Sequence, residues 1–218
     1  MNDVYSCLDP AERQTGFAEA KRAFARSGLV VMPTDTVYGI AADAFDPAGV
    51  RRLLRAKQRG RSMPTPVLIG SRDTMRALAT KLTSHTRDLA AAFWPGGLTL
   101  ICTQQRSLQW DLGDSRGTVA LRMPDQRDAI DLLLENGPLA VSSANTTGRP
   151  PATTIEEAKA MLGEAIDVYL DAGPTPGDIP STIVDCTGEL PRVVRTGVIS
   201  LADLRGVVPE VQAPESED

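Results

Sequence analysis

Small hydroxyl and amide side chains stand at the ends of three predicted strands of this sequence. They are Thr34–Thr36, Ser142–Asn145 and Pro180–Thr182. Strand ends on one edge of an α/β sheet meet at a crevice, where such groups bind ligands. Each segment alone is typical of an ordinary turn, because Ser, Thr, Asn and Gly favour turns. Three of them together favour a ligand site.

Four cations are the second group of residues that could do chemistry. Arg122 lies inside the apolar segment "TVALRMP", and Arg195 ends "PRVVR". Burial of an unpaired guanidinium is costly, so each is expected to have a carboxylate partner or a ligand anion. Lys57 and Arg59 belong to the basic segment 51–61, which is either a solvated helix face or an anion site. A pocket edged by hydroxyls and lined by these cations would suit a ligand with both phosphates and a carboxylate.

The sequence contains few residues that could act as a catalytic nucleophile or bind a metal. His85 is the only histidine, and Cys7, Cys102 and Cys186 are widely spaced in or beside apolar runs. A catalytic triad or a zinc site would depend on one imidazole, and the cysteines are expected to be small hydrophobic residues without disulfides. No metal ligands are predicted. Neither a Walker A loop nor G-x-G-x-x-G is present, so a nucleotide site must be of another design.

Length and composition predict one soluble domain. The chain has 218 residues, of which 42% are hydrophobic and 23% charged, and its net charge is −5. No apolar run approaches the roughly 20 residues of a membrane span, and the first residues lack the features of a secretion signal, so a cytoplasmic protein is expected. The acidic balance gives no broad basic field for nucleic acid. Residues 209–218 are polar and acidic, and they are expected to form a disordered tail after a domain that spans 1–208.

Hydrophobic periodicity predicts helices that alternate with strands early and strands that cluster late. Apolar residues at helical spacing indicate a helix over 11–27, which Gly28 ends before the first buried strand. Asp46-Pro47 begins a second helix, and Ser84 is expected to cap another. The fold class is therefore α/β, a mixed sheet with helices on its faces. Further strands are predicted at 67–71, 98–102, 118–124, 139–142 and in "DVYLDAG", "STIVDC" and "RVVRTG", and further helices in "RDTMRALAT", "HTRDLAAAF" and "TTIEEAKAML" and at 126–135.

A series of motifs extends over about residues 15–205. It runs from "VVMPTDTVYGIAADA" through "LLRAKQR", "FWPGGLTLI", "VALRMPD" and "SSANTTGRP" to "STIVDCTGELPRVVRTG". The ordered series resembles the YrdC-like family of threonylcarbamoyl-AMP synthases. The resemblance implies a short form of the family with a single catalytic domain, in which a twisted mixed sheet surrounds a concave, positively charged pocket. It also implies that L-threonine, bicarbonate and ATP are converted to threonylcarbamoyl-AMP and pyrophosphate, for threonylcarbamoyladenosine modification of tRNA.

The resemblance implies roles for ten residues. The implied threonine contacts, with Arg122 as carboxylate clamp, are Thr34, Thr36, Arg122 and Ser181. The implied ATP contacts are Lys57, Arg59, Thr118, Ser143, Asn145 and Arg195. Lys57 and Arg59 are also the implied catalytic pair. They would spread the charge of the reacting phosphates together with Mg²⁺ carried by the nucleotide.

This sequence departs from the family pattern after the lysine. The usual R-P-x-x-N-P-L-x-V-H is here "RGRSMPTPVLIG", two residues longer, with Thr65 in place of Asn and Gly70 in place of His. The family's histidine contact to threonine is therefore missing, and a contact from Arg61, Ser62 or Ser71 is expected to replace it. The basic loop at 59–66 carries a glycine and two prolines and is expected to act as a lid.

Two other functions stay open at this point. An RNA-binding module of the same fold is disfavoured by the net acidity and by an aromatic content of only 4%. A carbamoyl-transfer enzyme with another acceptor would share the ATP site and differ at the amino acid end. As a synthase, the protein is expected to pass its product to the tRNA threonylcarbamoyl transferase machinery, with weak or no direct binding of nucleic acid and none of membranes.

Overall fold

The computed structural model describes residues 3–215. Its helices are α1 (Pro10–Ala25), α2 (Pro47–Ala56), α3 (Arg72–Leu78), α4 (Ser84–Phe93), α5 (Arg127–Asn136), α6 (Ile155–Leu162) and α7 (Leu201–Val207). Asp9 and Asp46 cap α1 and α2, and proline at the first helical position follows each cap. Within the described residues, no helix combines the length and the hydropathy needed to cross a bilayer.

The strands form one mixed sheet. They are β1 (Asp3–Ser6), β2 (Val30–Met32), β3 (Gly39–Asp43), β4 (Val67–Leu68), β5 (Ala79–Thr80), β6 (Leu98–Gln104), β7 (Thr118–Arg122), β8 (Leu139–Ser143), β9 (Val168–Asp171), β10 (Thr182–Asp185) and β11 (Arg192–Arg195). Their order is β1-β9-β2-β3-β8-β4-β7-β6-β10-β11, and β5 pairs with β6. The parallel pairs β4–β7 and β6–β10 flank the antiparallel pair β6–β7. The predicted α/β fold with a mixed sheet is confirmed.

Helices cover both faces of the sheet but leave part of one face open. α1 and α5 pack on β2, β8 and β9, while α6 and part of α2 pack on the opposite face. α3, α4 and α7 cover the strands around β6 and β7. Along β6, Leu98, Leu100 and Cys102 belong to that core, whereas Thr99 and Ile101 alternate with them and line a cavity. The uncovered part of the sheet is therefore the floor of the cavity.

Several element boundaries differ from the sequence-based prediction, among them those of β4 and α4. The strand predicted over 67–71 is shortened to Val67–Leu68, with one further backbone hydrogen bond from the Ile69 amide to the Arg122 carbonyl at 2.9 Å, because the chain turns after Gly70 into α3. Thr83, and not Ser84, caps α4: its hydroxyl accepts a hydrogen bond from the Thr86 amide at 3.2 Å. Ser84 is the first helical residue instead.

The segment after α7 packs against the sheet. Val211 is buried, the Val193 amide donates to the Gln212 carbonyl at 3.0 Å, and the Gln212 amide donates to the Pro191 carbonyl at 2.9 Å. Residues 209–212 are thus part of the fold, contrary to the disordered tail predicted from Pro209, since one apolar anchor and an edge pairing outweigh the polar composition. Residues 216–218 of the predicted tail lie outside the described residues.

Candidate active site

A cavity of about 290 Å³ opens on the uncovered face of the sheet. Eight of the ten predicted site residues line it: Thr34, Thr36, Arg59, Thr118, Arg122, Ser143, Ser181 and Arg195. The other two, Lys57 and Asn145, are buried and do not belong to its lining. The three polar strand ends and three of the four cations therefore converge on one cavity, as the sequence predicts.

The hydroxyls of the loop after β2 form a directed chain of hydrogen bonds. Thr34 Oγ1 donates to the Val37 carbonyl at 2.6 Å and lies 3.1 Å from Thr36 Oγ1. Because the single hydroxyl proton of Thr34 is already used, the Thr36 hydroxyl is the donor between the two. Thr36 Oγ1 accepts in turn from Arg122 Nη1 at 3.0 Å. A lone pair of Thr36 Oγ1 remains for a ligand donor.

Arg122 has the carboxylate partner that its burial requires. Its Nη2 lies 2.6 Å from Asp35 Oδ1, and its Nε donates to the Gly96 carbonyl at 3.0 Å. The side chains of Arg122 and Asp35 are only 8% and 14% exposed. Burial lowers the pKa of Arg122, while Asp35 opposes that shift. The guanidinium is thus fixed in place by Asp35, Thr36 and a backbone carbonyl.

Ser181 is held from two sides. Its Oγ lies 2.9 Å from Thr99 Oγ1, and Arg195 Nη2 donates to both its Oγ and its carbonyl, at 3.0 and 2.8 Å. Thr99 is a buried member of the cavity lining that the sequence reasoning missed. Its signal was the alternation of "LTLIC", in which Thr99 and Ile101 share one face of the strand. Arg195 forms no ion pair with the described residues, and it is the most exposed of the three arginines that line the cavity.

Lys57 faces protein acceptors instead of the cavity. Its Nζ donates to the Ser143 carbonyl at 2.6 Å, to Ser143 Oγ at 3.2 Å and to Asn145 Oδ1 at 2.7 Å. All three ammonium protons are therefore engaged. Burial, and to a lesser degree the charge of Arg59, lower the pKa of Lys57 to about 8. In this structure Lys57 orders the Ser143–Asn145 turn and leaves no donor for a phosphate.

Arg59 and Thr118 stand on the wall of the cavity near Ser143. Arg59 Nη1 lies 3.4 Å from Ser142 Oγ, and its buried Nε has no partner among the described residues. The Thr118 hydroxyl donates to the Ser115 carbonyl at 2.7 Å. Both residues stand at the ends of elements, Arg59 after α2 and Thr118 at the start of β7.

Positive charge dominates the cavity. Partial burial, and then the neighbouring charges of Arg122 and Arg59, lower the pKa of Arg195. All three guanidinium groups belong to residues that line the same cavity. Among residues 3–215 the one carboxylate paired with any of them is Asp35. The arrangement suits a ligand that carries several negative charges.

The position of the missing family histidine is closed off. A Cβ at Gly70 would lie 3.0 Å from the Leu134 amide of α5, and Gly70 does not line the cavity. Arg61, Ser62 and Ser71, which were expected to replace the contact, do not line it either. Arg61 instead pairs with Asp111, outside the cavity lining.

The cysteines and the histidine take no part in the cavity. Cys102 and Cys186 are buried in the core and Cys7 is half-buried, and all three are free. Burial raises the pKa of the Cys7 and Cys186 thiols to about 12, so they are inert at neutral pH. His85 lies in the first turn of α4, away from the lining residues.

Comparison with known proteins gives the family. A family model for Sua5, YciO and YrdC proteins, described as "Telomere recombination", matches residues 22–197. A Mycobacterium leprae (strain TN) relative, provisionally named a threonylcarbamoyl-AMP synthase, is 52% identical over 212 residues, which cover 96% of each chain. Threonylcarbamoyl-AMP synthase of Pyrococcus abyssi is 34% identical over 191 residues, 87% of this chain and 56% of the relative.

The structural comparison agrees with the family match. The crystal structure of P. abyssi Sua5 complexed with L-threonine has a TM-score of 0.90 and 28% identity, and the match covers 97% of this chain and 62% of that one. The chain therefore spans about three fifths of Sua5. By sequence and by fold, the chain belongs to the Sua5/YciO/YrdC family.

Proposed function

We propose that this chain is a threonylcarbamoyl-AMP synthase, a nucleotidyltransferase that converts L-threonine, bicarbonate and ATP to threonylcarbamoyl-adenylate and pyrophosphate. The observation that carries the proposal is the meeting of Arg59, Arg122 and Arg195 with the Thr34–Thr36 loop around one cavity. Relatives named threonylcarbamoyl-AMP synthase support the reaction, and the Sua5 complex supports L-threonine as a substrate.

The amino acid is assigned to the Arg122 end of the cavity. Three of the five N–H groups of Arg122 are engaged by protein acceptors, which leaves two for the threonine carboxylate. Thr36 Oγ1 has a lone pair for the threonine amine, and Thr34 orients it. Ser181, fixed by Thr99 and Arg195, completes this end.

ATP is assigned to the rest of the cavity, from Arg195, which borders the threonine end, to Arg59. Arg59 and Arg195 each keep N–H groups without protein acceptors among the described residues, and these would bind the phosphates. Thr118 and Ser143 would contact the nucleotide. Lys57 and Asn145 would act on it through Ser143, which both of them hold.

The proposed chemistry needs no nucleophile from the protein. The threonine amine combines with bicarbonate to give a carbamate and water. A carbamate oxygen then attacks the α-phosphorus of ATP, the bond from that phosphorus to the bridging oxygen breaks, and pyrophosphate leaves with the electron pair. The protein aligns the two reactants and spreads the negative charge over its guanidinium groups. A cavity lined by hydroxyls and arginines, without histidine or cysteine, supports this route.

Mg²⁺ would enter as part of the nucleotide substrate. Mg²⁺ prefers carboxylate oxygens, yet Asp35 is engaged by Arg122. In the part of the chain from 3 to 215, no group of three or more His, Cys, Asp or Glu side chains is placed to hold a metal. The residues present do not fit a protein-held Mg²⁺.

Organisation and partners belong to the same proposal. Residues 1–208 would form the single catalytic domain, with 209–212 packed on it. The product would serve the tRNA threonylcarbamoyl transferase machinery in the cytoplasm, where ATP and tRNA are found. The net charge of −5 supports weak or no direct binding of nucleic acid.

Pyrophosphate release tests the proposal, with each substrate omitted in turn and with other L-amino acids in place of threonine. We expect release only when threonine, bicarbonate and ATP are all present. Arg59→Ala should lower turnover by a factor on the order of 10², because it removes a charge contact to the phosphates. Exposed Arg55→Ala is the matched control. Equal release without threonine, or with another acceptor, would contradict the assignment and favour a different carbamoyl transfer.

A further inference from the structure

Two loops that border the cavity are joined by an ion pair outside it. Arg61 Nη1 and Nη2 donate to the two carboxylate oxygens of Asp111 at 2.9 and 2.7 Å, and Arg61 Nε lies 3.3 Å from Asp114 Oδ1. A bidentate pairing of this kind fixes the orientation of both side chains as well as their distance. We refer to the cluster of Arg61, Asp111 and Asp114 as the latch.

Backbone contacts bring the same loops together. The Asp114 amide donates to the Arg61 carbonyl at 2.8 Å, and the Thr65 amide donates to the Leu112 carbonyl at 3.0 Å. Gly113 has a φ of +104°, and a Cβ there would lie 2.8 Å from the Arg61 carbonyl oxygen. Only glycine fits this approach. The latch therefore adds side-chain contacts between two loops that main-chain hydrogen bonds already hold together.

The first of the two loops carries polar atoms that lack partners. Arg59 Nε and Thr65 Oγ1 are buried without a hydrogen bond to the described residues, and both residues line the cavity. Such atoms are costly and uncommon in folded proteins, and a bound ligand can supply the partner that the protein does not. The second loop contributes Leu112 and Ser115 to the lining and leads into Thr118. The latch thus connects the segment with Arg59 to the segment with Thr118.

We propose that Arg61 and Asp111 are positioning residues, which hold Arg59 and Thr118 at the spacing that binds the nucleotide phosphates. The inference rests on the proposed function and deepens it by assigning residues outside the cavity. The Arg61 and Asp111 side chains are 49% and 32% exposed, so their ion pair contributes little to the free energy of unfolding. We expect its loss to weaken the affinity for ATP instead.

Calorimetric titration of the full chain with ATP tests the latch. We expect Arg61→Met and Asp111→Asn each to raise the Kd for ATP about three- to fivefold, the effect of losing an exposed ion pair. Asp111→Glu, which keeps a carboxylate for Arg61, should leave the Kd closer to that of the wild type than Asp111→Asn does. The Kd for L-threonine and the midpoint of thermal unfolding should not change. Arg55→Met, on an exposed arginine with no ion pair among the described residues, is the control.

Each contrary outcome has a separate meaning. A wild-type chain that binds no ATP overturns the proposed function and the latch together. ATP binding by the wild type with unchanged Kd values in both single variants overturns the latch alone. A parallel loss of threonine affinity or a lower unfolding midpoint would indicate a general structural role and would also overturn it, as would an Asp111→Glu variant that binds ATP no better than Asp111→Asn.

Discussion

Lys57 shows how the site depends on protonation at the scale of one residue. Its ammonium donates three hydrogen bonds, all within the Ser143–Asn145 turn, and no carboxylate compensates its charge among the described residues. All three of these hydrogen bonds can form together only while Lys57 carries its proton. With a pKa of about 8, that proton is lost within reach of ordinary assay conditions.

The first prediction concerns the fall of activity at alkaline pH. We expect kcat/KM for ATP to fall as the pH rises through about 8, because neutral Lys57 donates one hydrogen bond fewer to the turn. Asn145→Asp places a carboxylate beside the ammonium and raises the Lys57 pKa, so the fall should move to higher pH. Profiles of both proteins between about pH 6.5 and 10 measure the shift. Superimposable profiles would contradict this role of Lys57.

The free energy of unfolding should change with pH in the opposite direction to kcat/KM. The pKa of Lys57 is lowered from 10.5 to about 8, so between these values the unfolded chain binds more protons than the folded one. Lys57 therefore adds to the free energy of unfolding as the pH rises through this window. Urea unfolding at about pH 7.5 and 9.5 should show a larger gain for the wild type than for Lys57→Met, which lacks the titrating group.

At the scale of elements, the threonine end depends on a close crossing of two segments. Gly197, after β11, passes so near the segment before β10 that a Cβ would lie 2.3 Å from the Pro180 carbonyl oxygen and 2.4 Å from backbone atoms of Ser181 and Thr182. All three neighbours are main-chain atoms, which cannot turn aside as a side chain would. The crossing therefore fixes where Ser181 stands in the cavity.

The second prediction tests this crossing. Gly197→Ala should push the Ser181 segment away, raise KM for threonine about tenfold or more and destabilise the fold by roughly 1–3 kcal/mol, as overpacking does. Gly206→Ala is the control, because nothing lies within 4 Å of a Cβ at that position of α7. It should leave KM unchanged and stabilise the helix by about 0.5–1 kcal/mol. Equal kinetics for the two variants would argue against the crossing as the support of Ser181.

The order of the sheet separates what the sequence could predict from what it could not. The polar strand ends and the cations could be recognised in the sequence because they stand in or beside apolar segments. Their convergence on one cavity could be predicted once an α/β sheet was expected. The partnership of Thr99 with Ser181 was not, because it requires β6 to lie beside β10, a pairing between distant segments. The inward direction of Lys57 was hidden for the same reason: its acceptors lie on β8 and in the turn after it, 86 and 88 positions away.

At the scale of the whole molecule, the cavity holds like charges together in advance of any ligand. Burial acts on Arg59, Arg122 and Arg195, the charges of the other two also repel Arg195, and the one carboxylate paired with any of them among the described residues is Asp35, on Arg122. Preorganised charge of this kind lowers the stability of the free protein and is compensated when an anion binds.

The third prediction follows from this balance. Without ligand, Arg59→Gln should unfold at the same temperature as the wild type or a higher one, since it removes a partly buried cation that has no carboxylate partner among the described residues. ATP at about 100 times its Kd should stabilise the wild type by about 2.7 kcal/mol. Arg59→Gln should lose most of this stabilisation by ATP. Thermal unfolding with and without ATP measures both effects, and a variant that is destabilised alone yet fully stabilised by ATP would contradict the charge balance.

The pairing of Arg122 with Asp35 has a consequence for which small acids the protein can take up. The Arg122–Asp35 pair carries no net charge, and the carboxylate of a bound acid would stand near that of Asp35. The ammonium group of a zwitterion would offset this repulsion. We therefore expect this end of the cavity to favour α-amino acids over the keto and hydroxy acids of the same shape.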